Sequence, residues 1–502
     1  MSSVNTTYSR GQVGMECPLV TVETHLAGGL PGVTLVGLPQ TAVREARDRV
    51  KSAIVNCGLE FPQTKVVVNL APADLVKEGG RFDLPIAISI LAATGQIPGP
   101  QAEHYEYLGE LGLYGELRST RGALCAAMAA LASGRRLIVP AGSASEINVL
   151  GPARPLAAGH LNEVIRLLRD PAYAQDLCIP EEVPVTTQVS APATIAGQLA
   201  AKRAVAIAAA GAHHLLMVGP PGTGKTMLAR SLAHLLPVLG DQAALETAAV
   251  YSSAGLPRPD PFTPPFREPH HSVTAPALVG GGSQITPGEI SLAHHGALFL
   301  DEVPHFKPSV LNLLREPLES QAISIARANS RVTFPAAFQL IAAMNPCPAG
   351  RVCSAETCRC SAAQVRAYQS RLSGPLLDRI DLHVGVPEVP AEVLGRRLPA
   401  DDQRELKARI IAVRARQLER QGKFNAALGS TELMAIVELS TRIRRLLEQA
   451  VERFGLSARS YHKVIKVALT IADLEDAADL GEVHVAEALS FRNVDWDNRP
   501  GL

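Results

Sequence analysis

The chain has 502 residues, enough for about three domains, and 47% of them are hydrophobic while 19% are charged. Lysine plus arginine equals aspartate plus glutamate at 48 each, so the formal net charge is zero and nucleic acid can be attracted only by a local cluster of cations. Residues 1–14 are polar and the longest apolar stretches are broken by charges or histidines, which favours a cytoplasmic protein without a signal peptide or membrane span.

Residues 1–170 are predicted to form a first domain of mixed α/β structure. Apolar residues alternate in three short stretches and recur at helical spacing in two longer ones. The patterns predict strands at Val20–Glu23, Lys65–Leu70 and Leu137–Pro140, and helices at Thr41–Cys57 and Leu84–Ala93.

The stretch Asn69–Pro85, together with Leu108–Leu111, resembles the Lon-protease-type domain. Proteases of that type use a serine–lysine dyad. Here the nucleophile region, residues 80–83, contains no serine, and no lysine occurs between Lys77 and Lys202. A lysine-activated nucleophile cannot be built from that segment, so we expect a non-proteolytic domain with a structural or binding role.

Four polar residues near this segment have two interpretations. They could form a second active site, but a salt-bridged loop is the interpretation we favour, for Asp74, Lys77, Glu78 and Asp83. The prolines of residues 171–192 and their lack of periodicity then predict a linker.

Residues 193–386 are predicted to form a nucleotide-binding domain around one motif. The motif fits the P-loop pattern G-x-x-x-x-G-K-[ST] and reads Gly219, Pro220, Pro221, Gly222, Thr223, Gly224, Lys225, Thr226. A buried strand is expected before it, at Leu215–Val218, and a helix after it, at Met227–Leu236. Glycines let backbone N–H groups converge on phosphate, and the helix N-terminus adds positive partial charge. We expect Lys225 to reach the β- and γ-phosphates of ATP and the Thr226 hydroxyl to hold Mg²⁺.

Two further predicted strands end in polar residues suited to ATP hydrolysis. Asp301 and Glu302 follow the apolar segment Ala297–Leu300, and Asn345 follows Phe338–Met344. Asp301 suits Mg²⁺, and Glu302 suits polarising the attacking water. Asn345 is expected to orient the same water.

Two pairs of adjacent histidines, His270–His271 and His294–His295, raise the question of metal binding. Neighbouring side chains diverge on a strand, so one ion rarely takes both. We favour a loop presented to a ligand for the first pair and a helix-end role for the second.

A β-hairpin is predicted at Ala322–Phe334. Arg327, Asn329 and Arg331 lie at its tip with no acid among them. Such a tip could contact the DNA phosphate backbone, or it could be a solvated turn.

Half of the eight cysteines lie in one short stretch: Cys347, Cys353, Cys358 and Cys360. Four thiolates could close a structural zinc site, but the spacing differs from the usual C-x₂-C pairs. Reduced thiols are therefore the alternative.

Residues 387–502 are predicted to be helical, with helices at 402–421, 440–454 and 457–474. Ser457 is expected to be an N-cap, which places Arg459 in the first turn. A cation there is unfavourable for the helix dipole, so a phosphate partner would explain it. Before this region, Arg379 is flanked by Asp378 and Asp381, which we expect to hold its guanidinium.

The P-loop, residues 288–294, the hairpin and Leu377–Asp381 together resemble the magnesium-chelatase-related AAA+ ATPases. With the Lon-like domain in front, the resemblance is to their ComM/YifB-type branch. It implies a Lon-protease-like α/β domain, an AAA+ α/β core with a parallel sheet, and an all-helical C-terminal lid. It also implies that Arg379 is an arginine finger directed at a neighbouring subunit's ATP and that Arg459 is the sensor 2 residue. Gly197 and Gln198 would lie near the adenine.

The same resemblance implies a homo-hexameric ATP-driven motor on DNA, with the hairpin lining its pore. The activity would be that of a helicase promoting branch migration during natural transformation or homologous recombination. Two other functions remain open. A metal-chelatase motor subunit is disfavoured by the Lon-like domain, and a protein-remodelling ATPase is mildly favoured by it.

Overall fold

The computed structural model describes residues 4–37, 41–151, 155–179, 195–258, 260–282, 285–327, 330–350, 360–390 and 403–492. Within them the chain forms an N-terminal α/β domain, a central α/β core and a C-terminal helical region. The fold class predicted from the sequence is confirmed. No helix in these ranges combines the length and the apolar character that crossing a bilayer requires.

The N-terminal domain is built on a mixed sheet of seven strands in the order β3-β4-β2-β1-β5-β8-β9. Every second residue of the second strand is buried over most of its length, as a sheet with one covered face requires. Strands β6 and β7 pair separately. The nine strands of the described domain are β1 Asn5–Arg10, β2 Leu19–Ala27, β3 Gly32–Val36, β4 Lys65–Ala71, β5 Tyr105–Tyr107, β6 Glu110–Leu111, β7 Leu117–Arg118, β8 Arg136–Pro140 and β9 Leu156–Ala158.

Helices cover this sheet, and the most deeply buried of them is the predicted apolar one, whose first ten residues are all buried. They are α1 Thr41–Asn56, α2 Asp83–Ala93, α3 Gly99–Ala102, α4 Ala123–Ala132, α5 Ala144–Ile147 and α6 Leu161–Arg169. Residues 171–179, at the start of the predicted linker, still belong to this domain, because Leu177 lies in its apolar core.

The central core has a five-stranded parallel sheet in the order β11-β14-β17-β10-β18. Strands β10, β14 and β17 are buried along their whole length, as in sheets covered on both faces. Because they are parallel, their carboxyl ends meet at one edge. Strands β12 and β13, and strands β15 and β16, form two separate pairs. The nine strands of the described core are β10 Leu215–Val218, β11 Phe266–Arg267, β12 Gly280–Gly281, β13 Thr286–Pro287, β14 Ala297–Leu300, β15 Ala322–Arg327, β16 Ser330–Pro335, β17 Gln339–Met344 and β18 Leu382–Gly385.

The described core contains nine helices: α7 Leu199–Gly211, α8 Lys225–Leu235, α9 Asp241–Ala254, α10 Ala275–Val279, α11 Glu289–Leu292, α12 Pro308–Asn312, α13 Pro317–Ser320, α14 Ala362–Gln369 and α15 Gly374–Leu377. The C-terminal region adds α16 Gln403–Gln421, α17 Ser430–Ile436, α18 Thr441–Phe454, α19 Ala458–Leu474 and α20 Glu482–Ser490. The predicted N-cap of α19 is present, since Ser457 Oγ accepts the Ser460 N–H at 3.2 Å.

The N-terminal domain packs on two parts of the core. Helix α4 meets helix α9, where Leu124 N–H donates to Ser252 Oγ at 3.2 Å and the Cys125 thiol donates to the Ala249 carbonyl at 3.3 Å. The loop before β2 meets the hairpin, and Gly14 there has φ +64. A Cβ on Gly14 would overlap Val332 Cγ1, so glycine permits this close approach.

Candidate active site

The P-loop joins strand β10 to helix α8, as the sequence predicts. Gly222 and Gly224 have φ of 82 and 93, a left-handed backbone that favours glycine, and a Cβ on either would meet no atom within 4 Å. Gly219 packs closely instead, because its Cβ would overlap the Val386 carbonyl oxygen. The loop is therefore tightly packed at Gly219, whereas its backbone at Gly222 and Gly224, beside the N-terminus of helix α8, is open to a ligand.

Lys225 connects the P-loop to strand β17. Its ammonium donates to the carbonyl oxygens of Gly219 and Pro220, both at 2.7 Å, and to Asn345 Oδ1 at 3.1 Å. Burial lowers the pKa of Lys225 from its ordinary value, and the carboxylates of Asp301 and Glu302 partly offset that shift. The acceptors are all neutral, so phosphate oxygens can replace them at little electrostatic cost.

The two predicted Mg²⁺ ligands are neighbours. The Thr226 hydroxyl donates to Asp301 Oδ2 at 3.0 Å, across the edge between helix α8 and strand β14. Hydroxyl and carboxylate oxygens are hard donors of the kind Mg²⁺ prefers, so these residues fit the ion.

Glu302 has an unusual backbone. Its φ and ψ are 49 and 46, a left-handed conformation that is uncommon for a residue with a Cβ. Its N–H donates to Asp301 Oδ1 at 2.9 Å, which holds the turn. Its side chain is exposed at the edge of the sheet. Such strain is typical of functional positions.

Tyr368 on helix α14 lies beside this turn and was not singled out from the sequence. It is buried, and burial, with a smaller contribution from the Glu302 carboxylate, raises its pKa to about 12. Its chain position, distant from every strand of the core sheet, offers no signal of this proximity.

Gln198, predicted near the adenine, is the left-handed residue before helix α7. Its amide donates to the carbonyl oxygens of Thr223 at 3.3 Å and Pro387 at 2.6 Å. Gln198 thus connects the P-loop to the segment after strand β18, and its contact with adenine stays a prediction.

The prediction that Asp378 and Asp381 hold the Arg379 guanidinium is wrong. Its guanidinium pairs with Glu319 Oε1 at 2.7 Å, and Asp381 pairs instead with Lys463 at 2.6 Å. Arg459 meets the same Glu319 oxygen at 2.6 Å, so the anion near the start of α19 is a carboxylate in this structure. The two arginines therefore lie together. Glu319 was missed because its partners are far apart in the chain and follow no periodicity.

The hairpin predicted from the sequence is present as β15 and β16, with Ala326 opposite Arg331. Arg331 is exposed, whereas Val332 and Phe334 on the other face are buried. Residue 329 and the side chain of Arg327 lie outside the described residues. Their contact with DNA stays a prediction.

His294 and His295 follow the end of helix α11 and, with Glu246, form a cluster whose ligand atoms lie within 4.8 Å of one another. Metal binding does not fit it. His294 Nδ1 accepts the Ala337 N–H at 3.1 Å, so the neutral ring carries its proton on Nε2, which faces Glu246 at 3.5 Å. Burial lowers the pKa of His294 to about 4.

The other histidine pair borders the turn that carries Glu302. The ring of His271 lies 4.0 Å from that of His270 and 6.0 Å from that of His305, between ring centroids. The first pair thus belongs to a loop near the nucleotide site, and its interaction with a ligand stays a prediction.

Of the four cysteines predicted to bind zinc, Cys347 is buried and Cys360 is half-buried. Cys353 and Cys358 lie outside the described residues, so the zinc site stays a prediction.

In the N-terminal domain the expected salt-bridged loop has different partners. Asp83 pairs with Arg49 of helix α1 at 2.7 Å and accepts the Leu111 N–H at 3.2 Å. Lys77 is fully buried and donates to the Pro72 carbonyl oxygen. The ion pair therefore joins two helices rather than closing the loop.

Three sequence profiles match most of the chain. The profile described as "Magnesium chelatase, subunit ChlI" matches residues 192–394, and that described as "Magnesium chelatase, subunit ChlI C-terminal" matches residues 400–492. "Subunit ChlI of Mg-chelatase" matches residues 22–143.

Some known proteins resemble the chain over nearly its full length, and others resemble only part of it. YifB of Escherichia coli (strain K12) is 44% identical over 98% of both chains. The competence protein ComM of Haemophilus influenzae (strain ATCC 51907 / DSM 11121 / KW20 / Rd) is 45% identical over 97% of this chain and 96% of its own. A plant protein named "probable DNA helicase MCM9", from Arabidopsis thaliana, is 29% identical over 34% of this chain and 22% of its own.

Proposed function

This chain belongs to the ComM/YifB-type branch of the magnesium-chelatase-related AAA+ family, and from that premise we propose that it is an ATP-driven motor that acts on DNA as a homo-hexameric ring. Its action would be that of a cytoplasmic helicase promoting branch migration in natural transformation or homologous recombination. The link to transformation is supported by the relative that is named a competence protein. The observation that carries the ATPase part is the convergence of Lys225, Thr226, Asp301 and Asn345 at one sheet edge.

Each group at that edge has a task in ATP hydrolysis. Lys225 exchanges its carbonyl acceptors for phosphate oxygens, and Thr226 and Asp301 hold Mg²⁺. When bound, Mg²⁺ neutralises charge that develops on the phosphates. Glu302 accepts a proton from the attacking water, and Asn345, already within 3.1 Å of Lys225, orients that water.

Arg379 and Arg459 would act on the ATP of the neighbouring subunit. Both bind Glu319, and within the described residues neither has a hydrogen bond to the P-loop of its own chain. Since Glu319 holds the two arginines together, an Arg379 that reaches across the subunit boundary brings Arg459 with it. Two guanidinium groups would then stabilise the transition-state charge.

Contact with DNA is assigned to the hairpin tip. The net charge of the chain is zero, so a local source of positive charge is needed, and Arg327 and Arg331 supply it on either side of Asn329. Repeated around a ring, these tips would give a pore with a positive lining. Phosphate contacts of this kind are independent of base sequence.

Two other functions have support. The family description names a metal chelatase, and a protein-remodelling motor would use the same ATP site. The decisive test is the ATPase rate of the full-length protein with and without single-stranded or branched DNA. Stimulation by DNA supports the proposal, and a rate indifferent to DNA favours the other two.

Glu302→Gln provides a second test. The variant should bind ATP as tightly as the parent and hydrolyse it about 10²- to 10⁴-fold more slowly, because only the proton acceptor is removed. Single-turnover hydrolysis and nucleotide binding measure the two effects. A variant that turns over normally would exclude Glu302 from the reaction.

The zinc site is proposed as a structural one, held by Cys347, Cys353, Cys358 and Cys360. Protein purified without chelators should then carry about one zinc ion per chain. Elemental analysis decides between this and reduced thiols.

A further inference from the structure

One carboxylate lies between the two arginines that are proposed to act across the subunit boundary. Glu319 Oε1 is 2.7 Å from a terminal guanidinium nitrogen of Arg379 and 2.6 Å from one of Arg459. The two guanidinium groups carry like charges, so they would repel one another without an anion between them. Glu319 therefore sets their common position.

Arg379 is held on its remaining sides by backbone groups. Its Nε donates to the Arg315 carbonyl at 3.1 Å and its Nη1 to the Pro375 carbonyl at 2.6 Å. Its side chain is only 11% exposed, whereas those of Glu319 and Arg459 are about half exposed. The Arg459–Glu319 contact is thus the part of the unit that is free to rearrange.

Glu319 is also attached to the hairpin. It belongs to the short helix α13, which ends at Ser320, and strand β15 begins at Ala322. The Ser320 hydroxyl joins these elements, because it donates to the Ala322 carbonyl at 2.9 Å and accepts the Ala322 N–H at 3.4 Å.

The second strand of the hairpin is tied to the same point. The Ala336 N–H, just after strand β16, donates to the Gln321 carbonyl at 2.7 Å. Ile323 of the hairpin and Leu318 of α13 pack in one apolar cluster. The base of the hairpin and the helix that carries Glu319 are therefore expected to move as one body.

We propose that Glu319 is a positioning residue that couples the pore hairpin to the arginine pair, so that displacement of the hairpin changes how Arg379 and Arg459 meet the neighbour's ATP. The proposal rests on the proposed function, because it takes both arginines as acting in trans. Half-exposed ion pairs are individually weak, so the unit is stable enough to position the arginines and weak enough to rearrange in each cycle.

The test compares Glu319→Gln, which keeps the shape and removes the charge, with Glu316→Gln, an exposed glutamate one turn earlier. Hydrogen exchange of the hairpin peptide, residues 322–335, is measured in the assembled protein with and without a non-hydrolysable ATP analogue. Nucleotide should change the exchange rate in the parent and in Glu316→Gln. In Glu319→Gln that change should shrink by at least about fivefold, the lower end of typical coupling between sites.

Steady-state kinetics add a readout that a merely structural role would not give. For Glu319→Gln, kcat should fall about 10- to 100-fold because the arginines lose their geometry. KM for ATP should stay within about twofold, because the P-loop is untouched. Glu319→Asp, which keeps the charge, should restore part of kcat, and melting temperatures should match the parent.

The outcomes separate this inference from the proposed function. If DNA fails to stimulate the parent but nucleotide still alters the hairpin through Glu319, the DNA function is wrong and the coupling stands. If DNA stimulates the parent, and the hairpin of Glu319→Gln responds to nucleotide as fully as the parent's hairpin does, only the coupling is wrong and the proposed function stands. A parent hairpin indifferent to nucleotide also overturns the coupling.

Discussion

Lys77 in the N-terminal domain and Lys225 in the core are both buried lysines in loops that contain glycine and proline. Each donates to a proline carbonyl, Lys77 to Pro72 and Lys225 to Pro220. Their surroundings differ. Lys225 begins a helix of eleven residues and has two carboxylates nearby, whereas Lys77 precedes only the 3-10 turn Gly80–Phe82.

The loop of Lys77 leads to a buried arginine rather than to an open helix start. Arg81 donates to Gln12 Oε1 at 2.6 Å and to the Arg10 carbonyl at 3.4 Å. The adjoining cavity, about 280 Å³, is lined by cations, Arg81 and Arg121, and by acids, Glu78 and Glu110. A lysine in a glycine-containing loop therefore does not by itself make a phosphate-binding site. A phosphate site also needs unpaired N–H groups at a helix start and carboxylates at the same edge.

Substituting the two lysines in the same way gives the largest expected contrast. Lys225→Met should reduce ATP hydrolysis to background, because the side chain can no longer bind the β- and γ-phosphates. Lys77→Met should leave the ATPase rate within about twofold and the protein as stable as before, since an apolar side chain replaces a buried charge. Steady-state ATPase assays and thermal melts measure both. Equal reductions in activity would contradict the distinction between the loops.

Arg379→Ala tests whether the core site, unlike the N-terminal loop, needs a second subunit. Its ATPase rate should fall by about 10³- to 10⁵-fold while ATP binding is kept, because the P-loop of each subunit stays intact. Arg315→Ala is the control, since the exposed Arg315 contributes its carbonyl to this site. Mixing Arg379→Ala with Lys225→Met subunits should restore activity at sites that pair an intact loop with an intact arginine. A normal rate for Arg379→Ala alone would rule out its role.

The hairpin, where the two domains meet, should carry the salt-sensitive part of DNA binding. Replacing Arg327 and Arg331 together by alanine should lower the slope of log affinity against log salt by about one for each phosphate that a subunit no longer neutralises. Unstimulated ATPase should survive, because neither residue belongs to the nucleotide site. Arg442→Ala with Arg445→Ala on helix α18 removes the same charge elsewhere and should leave the slope unchanged. Equal slopes for both double variants would contradict the assignment.

Acidification should weaken the core in particular, because three of its histidines, the buried His294 and His383 and the half-buried His214, are neutral in the folded protein. Burial lowers the pKa of His214 and His294 to about 4 and that of His383 to about 3. His214 and His294 each accept a backbone N–H through Nδ1, from Leu340 at 3.0 Å and Ala337 at 3.1 Å. The unfolded chain therefore binds more protons than the folded chain between about pH 4 and 6.5.

The stability that these histidines provide is complete above about pH 6.5 and decreases as the pH falls through that window. We expect the free energy of unfolding to fall by about 1–2 kcal/mol per histidine between pH 7 and pH 5. Denaturant unfolding at several pH values measures it. In the variant His383→Gln the free energy of unfolding should change less with pH than in the parent. An unchanged pH dependence would show that His383 does not contribute to it.

The sequence by itself determined the parts of the site that lie next to one another in the chain. The glycines, Lys225 and Thr226 follow a buried strand and begin a helix, and this pattern fixes where they lie in the structure. Asp301 and Asn345 end apolar segments, and the carboxyl ends of parallel strands meet at one edge. Hence their proximity could also be expected before the structure was known.

Only the tertiary structure decided which charges pair. Flanking acids were expected to hold Arg379, yet Glu319 does so and also holds Arg459, while Asp381 binds Lys463 and Asp83 binds Arg49. Ion pairing has no period along the chain and no preferred separation, because it depends on which surfaces the packing of apolar elements brings within about 4 Å. That packing brought together helix α13, the turn after helix α15 and the first turn of helix α19, which carry Glu319, Arg379 and Arg459.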